Sequence, residues 1–159
     1  MDSLKSALKN AEHDTARIII LGVLSEQCEI NDILNYAKPC VEIADKNINL
    51  PENSQRKVFY LMHKANALNN MGFFAQQHGS ISKALDLYNK SLEIMEQIKD
   101  KPGMAQALNN IGAIYSDQGN IIKALEFYNK ALKVYEQLKN KSGIAYGYNN
   151  IGTVYGNQG

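Results

Sequence analysis

The sequence has few of the features that mark disulfide-stabilised, secreted or membrane-spanning proteins. Its only cysteines are Cys28 and Cys40, and no CxxC pair occurs, so small buried side chains or free thiols are favoured over a disulfide framework. The strongest apolar run, Ile18 to Leu24, is far shorter than the roughly 20 residues that cross a bilayer, and Met1 to Asn10 lacks the apolar core of a signal peptide. We therefore expect no membrane insertion.

Excess charge and catalytic motifs are scarce as well. The formal net charge is only +1, which provides neither the basic face that binds nucleic acid nor attraction to anionic membranes. His13, His63 and His78 have no metal-ligand spacing, and the motifs HExxH, GxxxxGKS/T and GxSxG are missing from the sequence. We expect no catalytic residue, no metal and no cofactor, and hence a protein that is not an enzyme.

What the sequence does contain is an internal repeat. Residues 67–79 (ALNNMGFFAQQHG), 107–119 (ALNNIGAIYSDQG) and 147–159 (GYNNIGTVYGNQG) align at an offset of 40. Residues 81–101 match residues 121–141 at the same offset. The chain therefore contains two complete units and the first half of a third, as expected for a repeat architecture.

Each unit predicts two helices joined by a short turn. In the first helix, Leu108, Ile111, Gly112 and Tyr115 have the i, i+3, i+4, i+7 spacing of one helical stripe. The second helix has a similar stripe, formed by Ala124, Leu125, Tyr128, Ala131, Leu132 and Tyr135. Because 45% of the residues are apolar, such stripes can form a continuous core. We predict an all-α fold of antiparallel helix pairs.

Glycines occur at three recurring positions of the unit. Gly79 and Gly119 are predicted to end the first helix with a positive φ angle, and Ser80 and Asn120 to cap the second. A second set marks the turn into the next unit and consists of Gly103 and Gly143. A third set lies inside helices, where we expect the partner helix to cross closely and to present the small residues Ala84 and Ala124; it consists of Gly72, Gly112 and Gly152.

The motif Leu108-x2-Ile111-Gly112-x2-Tyr115, followed by Ala124-x3-Tyr128-x2-Ala131, resembles the tetratricopeptide repeat (TPR). The corresponding residues of the first unit are Leu68, Met71, Gly72, Ala84, Tyr88 and Ser91, and those of the half unit are Tyr148, Ile151, Gly152 and Tyr155. The 40-residue period exceeds the usual period of about 34 and is similar to that of kinesin light chains, spindle-orientation adaptors and bacterial signalling arrays. The resemblance implies a right-handed superhelical stack (an α–α solenoid).

The N-terminal third is less regular. Helices are predicted from Asp2 to Asn10, from Asp14 or Thr15 to about Cys28, and from Asn31 or Asp32 to about Asn47, with Pro39 expected to kink the third one or to cost it a hydrogen bond. We interpret residues 1–53 as a degenerate helical capping region that ends in the linker from Ile48 to Asn53. Residues 54–159 form the repeat array, which begins with a long helix from Ser54 or Gln55 to His78.

The resemblance implies that the first helix of each pair lines a concave surface, which binds a protein or peptide. Its groove residues in the three units are predicted to be Asn66, Asn69, Asn70, Phe73 and Gln77; Gln106, Asn109, Asn110, Ala113 and Asp117; and Tyr146, Asn149, Asn150, Thr153 and Asn157. No lysine or arginine is among them, so we expect no clamp for a C-terminal carboxylate.

Two roles are open for the recurring asparagine pairs Asn69-Asn70, Asn109-Asn110 and Asn149-Asn150. Carboxamides provide both donors and an acceptor, which suits the main chain of an extended peptide in the groove. Alternatively, one asparagine of each pair bonds the neighbouring repeat and orders the stack.

The end of the sequence leads to two compatible expectations. Ile151, Val154 and Tyr155 would lack a covering helix and form an apolar patch. The chain is then a piece of a longer protein, or it forms a homodimer through its last helix. The function that we predict is that of an interaction scaffold within a larger signalling protein. Alternatives are a regulatory or sensor region of a histidine kinase, nucleotide cyclase or transcription regulator, and a carrier of a small molecule or lipid.

Overall fold

The computed structural model describes residues 1–49, 51 and 54–156 of the chain. The described residues form helices and no strand, which confirms the predicted all-α class. The helices are α1 (Asp2–Asn10), α2 (Asp14–Gln27), α3 (Ile33–Asn47), α4 (Gln55–Gln77), α5 (Ile81–Gln97), α6 (Lys101–Asp117), α7 (Ile121–Gln137) and α8 (Lys141–Gly156), with a 3₁₀ turn at Ile30–Asp32. Asn157 and much of the predicted linker from Ile48 to Asn53 lie outside the described residues.

The helices form two compact units, Met1–Ile94 and Met95–Gly159. Among the described residues, no helix combines the length and the hydrophobicity that crossing a bilayer requires.

The core of the first unit is shared by α2, α3 and α4. It contains Ile18, Leu21, Ile33, Ala37, Cys40, Ile43, Ala44, Tyr60 and Ala67. The α2 and α3 helices run antiparallel, since the Asn47 amide at the end of α3 donates to the Asp14 carboxylate at the start of α2, over 2.9 Å. Pro39 lies inside α3, which continues through it to Asn47. The predicted bounds of α2 and α3 therefore hold to within one or two residues.

The α4 and α5 helices form an antiparallel pair in the first unit. The Ser54 hydroxyl caps α4 by accepting from the Lys57 backbone N–H over 3.1 Å, as predicted. Near the middle of α4, the Ala65 carbonyl accepts from the Ser91 hydroxyl over 2.8 Å. Nearer its end, Gly72 contacts the ring of Tyr88. Because later residues of α4 meet earlier residues of α5, the two helices run in opposite directions.

The turn between the helices of each pair is built as predicted. Gly79 and Gly119 have φ angles of 72° and 71°, a backbone region that glycine enters without strain. Each glycine closes a Schellman arrangement; at Gly79, the following Ser80 N–H donates to the Ala75 carbonyl over 2.8 Å. The Asn120 side chain then caps α7 by accepting from the Lys123 N–H over 3.2 Å.

The turn into the next unit differs from the prediction. Gly103 and Gly143 lie in the first turns of α6 and α8, and the left-handed residues of these connections are Lys99 and Lys139, with φ angles of 57° and 52°. The two glycines are needed for packing, because a Cβ atom on Gly103 would lie 2.5 Å from the Met95 sulphur. At Gly143 a Cβ atom would overlap the ring of Tyr135.

The interior glycines also have a different cause from the one expected. A Cβ atom on Gly72 would lie 2.7 Å from the Tyr88 ring, and one on Gly112 would lie 2.8 Å from the Tyr128 ring. The nearest atoms are thus those of a tyrosine of the second helix, and the predicted neighbours Ala84 and Ala124 are not among them. These glycines create a notch for an aromatic ring between the paired helices.

Candidate peptide-binding face

In the first unit, the predicted groove residues of α4 differ widely in accessibility. Phe73 and Gln77 are exposed, and Asn66 and Asn70 are partly buried. Asn69 is only 7% exposed, so it belongs to the interior of the unit and not to an open surface. The Asn70 amide donates to the Ser25 hydroxyl over 2.8 Å and thereby joins α4 to α2.

In the second unit, most of the predicted groove residues lie at the surface of α6 and α8. Gln106, Asp117, Tyr146, Asn149 and Thr153 are exposed, and Asn110, Ala113 and Asn150 are partly buried. We refer to these eight residues as the α6–α8 face. Their helical spacing places each set on one side of its helix, and a hydrogen bond described below brings α8 beside α6.

Asn109 is the exception, and its prediction as an open groove residue is corrected. It is 4% exposed, and its amide donates to the Tyr135 hydroxyl of α7 over 2.9 Å. Its side-chain oxygen accepts from the Asn150 amide of α8, over a longer 3.5 Å. Asn109 therefore joins three helices of the second unit, as expected under the alternative in which one asparagine of a pair orders the stack.

Burial changes the acidity of the tyrosines that support this face. It raises the pKa of Tyr135, and the hydrogen bond from Asn109 partly offsets that change. Burial is also the main reason that the pKa of Tyr128 rises to about 12, with smaller contributions from Tyr146 and Asp117. Both phenols stay protonated at neutral pH, so the Tyr135 hydroxyl can accept from Asn109 and still donate a hydrogen bond.

The cysteines are free thiols and not a reactive pair. Cys40 is fully buried, and burial, assisted by the charge of Glu26, raises its pKa to about 12. Burial raises the pKa of Cys28 as well. A thiol attacks as its thiolate, so neither residue is activated as a nucleophile. Among the residues that the structure describes, no three histidine, cysteine or acidic side chains are grouped so as to hold a metal ion.

Comparison with known proteins identifies the family. The family model described as tetratricopeptide repeat matches residues 63–137 and, in a second overlapping match, residues 104–159. The two matches together extend from α4 to the end of the sequence, which is more than half of the chain. The chain belongs to the tetratricopeptide repeat family. A comparison with curated proteins gave no match.

Membership of the TPR family defines the general role of this fold. TPR repeats generally mediate protein–protein interaction, and TPR domains bind proteins or peptides. The all-helical TPR fold is typically a non-catalytic scaffold. The resemblance predicted from Leu108, Gly112, Tyr115 and Tyr128 is thereby confirmed.

Two residues that support the TPR face were not recognised in the sequence as its partners. Tyr135 was placed in the helical stripe of α7 without a partner, and Ser25 lies in α2, outside the repeats. The Tyr135 position is Met95 in the preceding unit, so the repeat pattern gave no reason to expect a hydroxyl there. The signal that could have indicated it is Gly143, since its Cβ-free surface receives the Tyr135 ring.

Proposed function

We propose that the α6–α8 face of the second unit binds an extended segment of a partner protein. Family membership supports protein binding in general. The specific support for this face is that its exposed side chains are nearly all uncharged hydrogen-bonding groups, namely Gln106, Asn149 and Thr153, with the aromatic ring of Tyr146 beside them.

The observation that carries the proposal is the way in which Asn150 is held. Its amide donates to Asn109, which in turn is fixed by Tyr135. A carboxamide has two N–H donors and one acceptor oxygen, so a single bond to Asn109 leaves it further capacity. Because the side chain is already oriented, less conformational entropy is lost when it bonds a peptide main chain.

The charges of the face indicate which peptides fit. Among its eight residues, the only group that is ionised at neutral pH is the Asp117 carboxylate, and there is no lysine or arginine. A C-terminal carboxylate would find no cation there. We therefore propose that the partner segment is internal to its chain, is neutral or basic, and presents an apolar or aromatic side chain to Tyr146, which is 55% exposed.

We also propose that the chain is a scaffold with no reaction of its own and that it serves as a docking part of a larger signalling protein. The raised pKa values of Cys28 and Cys40 support the absence of a thiol nucleophile.

The test begins with peptides selected from a random library on the immobilised full chain. We expect the selected peptides to bind equally well with a free and with an amidated C-terminus. Asn150→Ala should weaken their binding about tenfold, which is about 1.4 kcal/mol, as measured by isothermal titration calorimetry. Asn129→Ala is the matched control, because Asn129 is an exposed asparagine of α7 that bonds only the Leu125 carbonyl of its own helix.

Helical content measured by circular dichroism shows whether each variant is folded. Peptides that require their C-terminal carboxylate, or that bind the folded Asn150→Ala chain as tightly as the original, would contradict the proposal.

A further inference from the structure

The last helix has an exposed stripe that differs from the α6–α8 face. Tyr148 and Tyr155 are each 58% exposed, Gly152 between them is exposed, and Ile151 is partly buried. A Cβ atom on Gly152 would meet no atom within 4 Å among the described residues. We refer to these four residues as the Gly152 face.

The same stripe is occupied on the two preceding first helices of the repeats. On α6, the equivalent residues Leu108 and Ile111 are 6% and 1% exposed, and the ring of Tyr128 from α7 lies against Gly112. On α4, Leu68 is 7% exposed and the ring of Tyr88 from α5 lies against Gly72. In both cases the occupant is a helix that presents a tyrosine to the glycine notch.

The helices that occupy these notches share a short pattern around the tyrosine. Ala124 precedes Tyr128 by four residues and Ala131 follows it by three. Around Tyr88 the same places are taken by Ala84 and Ser91, and all four of these small residues are buried. Small residues at these places let the helix backbone come close, so that the ring can reach the notch.

The Gly152 face can be occupied without displacing α7. The side of α8 that packs on α7 is a different one, where Val154 is 1% exposed against Ala124 and Tyr128, and where Gly147 contacts Leu132. The expectation that Val154 lacks cover was therefore wrong, and only the neighbouring stripe of α8 is open.

We propose that the Gly152 face docks an amphipathic helix of a partner protein, with a tyrosine ring seated on Gly152. The docking helix has a small residue four positions before the tyrosine and another three positions after it. The Gly152 face contains no group that is ionised at neutral pH, so the contacting side of that helix is uncharged. This inference is independent of the peptide proposed for the α6–α8 face.

The test uses a synthetic peptide with the sequence of Ile121–Gln137 as the probe, labelled with a fluorophore and titrated into the full chain. We expect saturable binding followed by fluorescence anisotropy. Gly152→Ala should weaken it at least tenfold, because the added Cβ atom would occupy the place of the ring. A peptide carrying Tyr128→Ala should lose binding to a similar extent.

The matched control is Thr153→Ala, which alters the adjacent residue on the α6–α8 face and should leave binding of the helical peptide unchanged. The Gly152→Ala chain is expected to fold normally because its new methyl group meets nothing in the structure. Unchanged binding by Gly152→Ala or by the Tyr128→Ala peptide would overturn the proposal, as would the absence of binding at the solubility limit. Self-association that Gly152→Ala abolishes, without peptide binding, would assign the face to a second copy and overturn it too.

Discussion

The Asn109 amide donates to the Tyr135 hydroxyl over 2.9 Å and so joins α6 to α7 beneath the α6–α8 face. Asn109 is the first member of a repeated asparagine pair, and the equivalent Asn69 is buried as well. A buried carboxamide stabilises the fold only when it is hydrogen-bonded, and Tyr135 and Asn150 provide those bonds. The first asparagine of these two pairs therefore supports the binding face from below.

Loss of this support should be measurable as stability. We expect Asn109→Ala to lower the free energy of unfolding by about 1–3 kcal/mol, because it leaves the half-buried Tyr135 hydroxyl without its donor. Urea denaturation followed by circular dichroism measures the change. Asn149→Ala, at the exposed equivalent position in α8, should change stability by less than about 0.5 kcal/mol. Equal effects of the two substitutions would show that Asn109 has no supporting role.

The two helix-start glycines allow a comparison between a rigid and a flexible neighbour. Gly143→Ala should destabilise the chain by about 1–3 kcal/mol, because the Tyr135 ring cannot bend away from the new Cβ atom. Gly103→Ala should cost less, since the neighbour there is Met95, whose unbranched side chain adapts to irregular gaps. Thermal unfolding of both variants tests the order, and a larger loss for Gly103→Ala would contradict it.

The connections between units contain lysines where glycine would be less strained. Lys139 has a φ angle of 52°, a left-handed conformation that costs a residue with a Cβ atom roughly 1–2 kcal/mol. Lys139→Gly should therefore stabilise the chain by up to about 1 kcal/mol, after the extra backbone entropy of glycine in the unfolded state is subtracted. The measurement is the midpoint of thermal unfolding. Lys133→Gly, in the interior of α7, is the control and should be destabilising by about 1 kcal/mol.

His63 should make the first unit sensitive to mild acid. Burial lowers its pKa below the ordinary 6.5, and the ring lies edge-on to Phe59 with centroids 4.6 Å apart. The unfolded chain therefore binds a proton more readily than the folded one, so the stability that neutral His63 contributes is complete above pH 6.5 and is lost as pH falls through the folded pKa.

The matched variant is His63→Gln, which cannot gain a proton. Urea unfolding of both proteins at pH 8 and pH 5 should show a larger loss of stability for the original chain than for the variant. Equal losses would mean that the ring takes up a proton in the folded state without cost.

Many local features of the fold were predictable because they depend on neighbours in the sequence. The 40-residue offset predicted the helix pairs, Gly79 and Gly119 predicted the turns, and Ser54 and Asn120 predicted two caps. The exposure of the asparagines was less accessible, since a helical stripe does not reveal which edge of it the next helix covers. Asn109 was placed on the open face for that reason, although Tyr135 and Asn150 enclose it.

The sequence by itself determined that this chain is helical, repetitive and of the TPR family, because periodicity and turn chemistry act over a few residues at a time. Only the tertiary structure decided what fills each glycine notch and which asparagines are buried, because both depend on side chains that meet across separate helices. Gly112 and Gly152 are identical in local sequence context, yet the first holds the Tyr128 ring and the second is open. That difference arises from packing, and the Gly152 proposal depends on it.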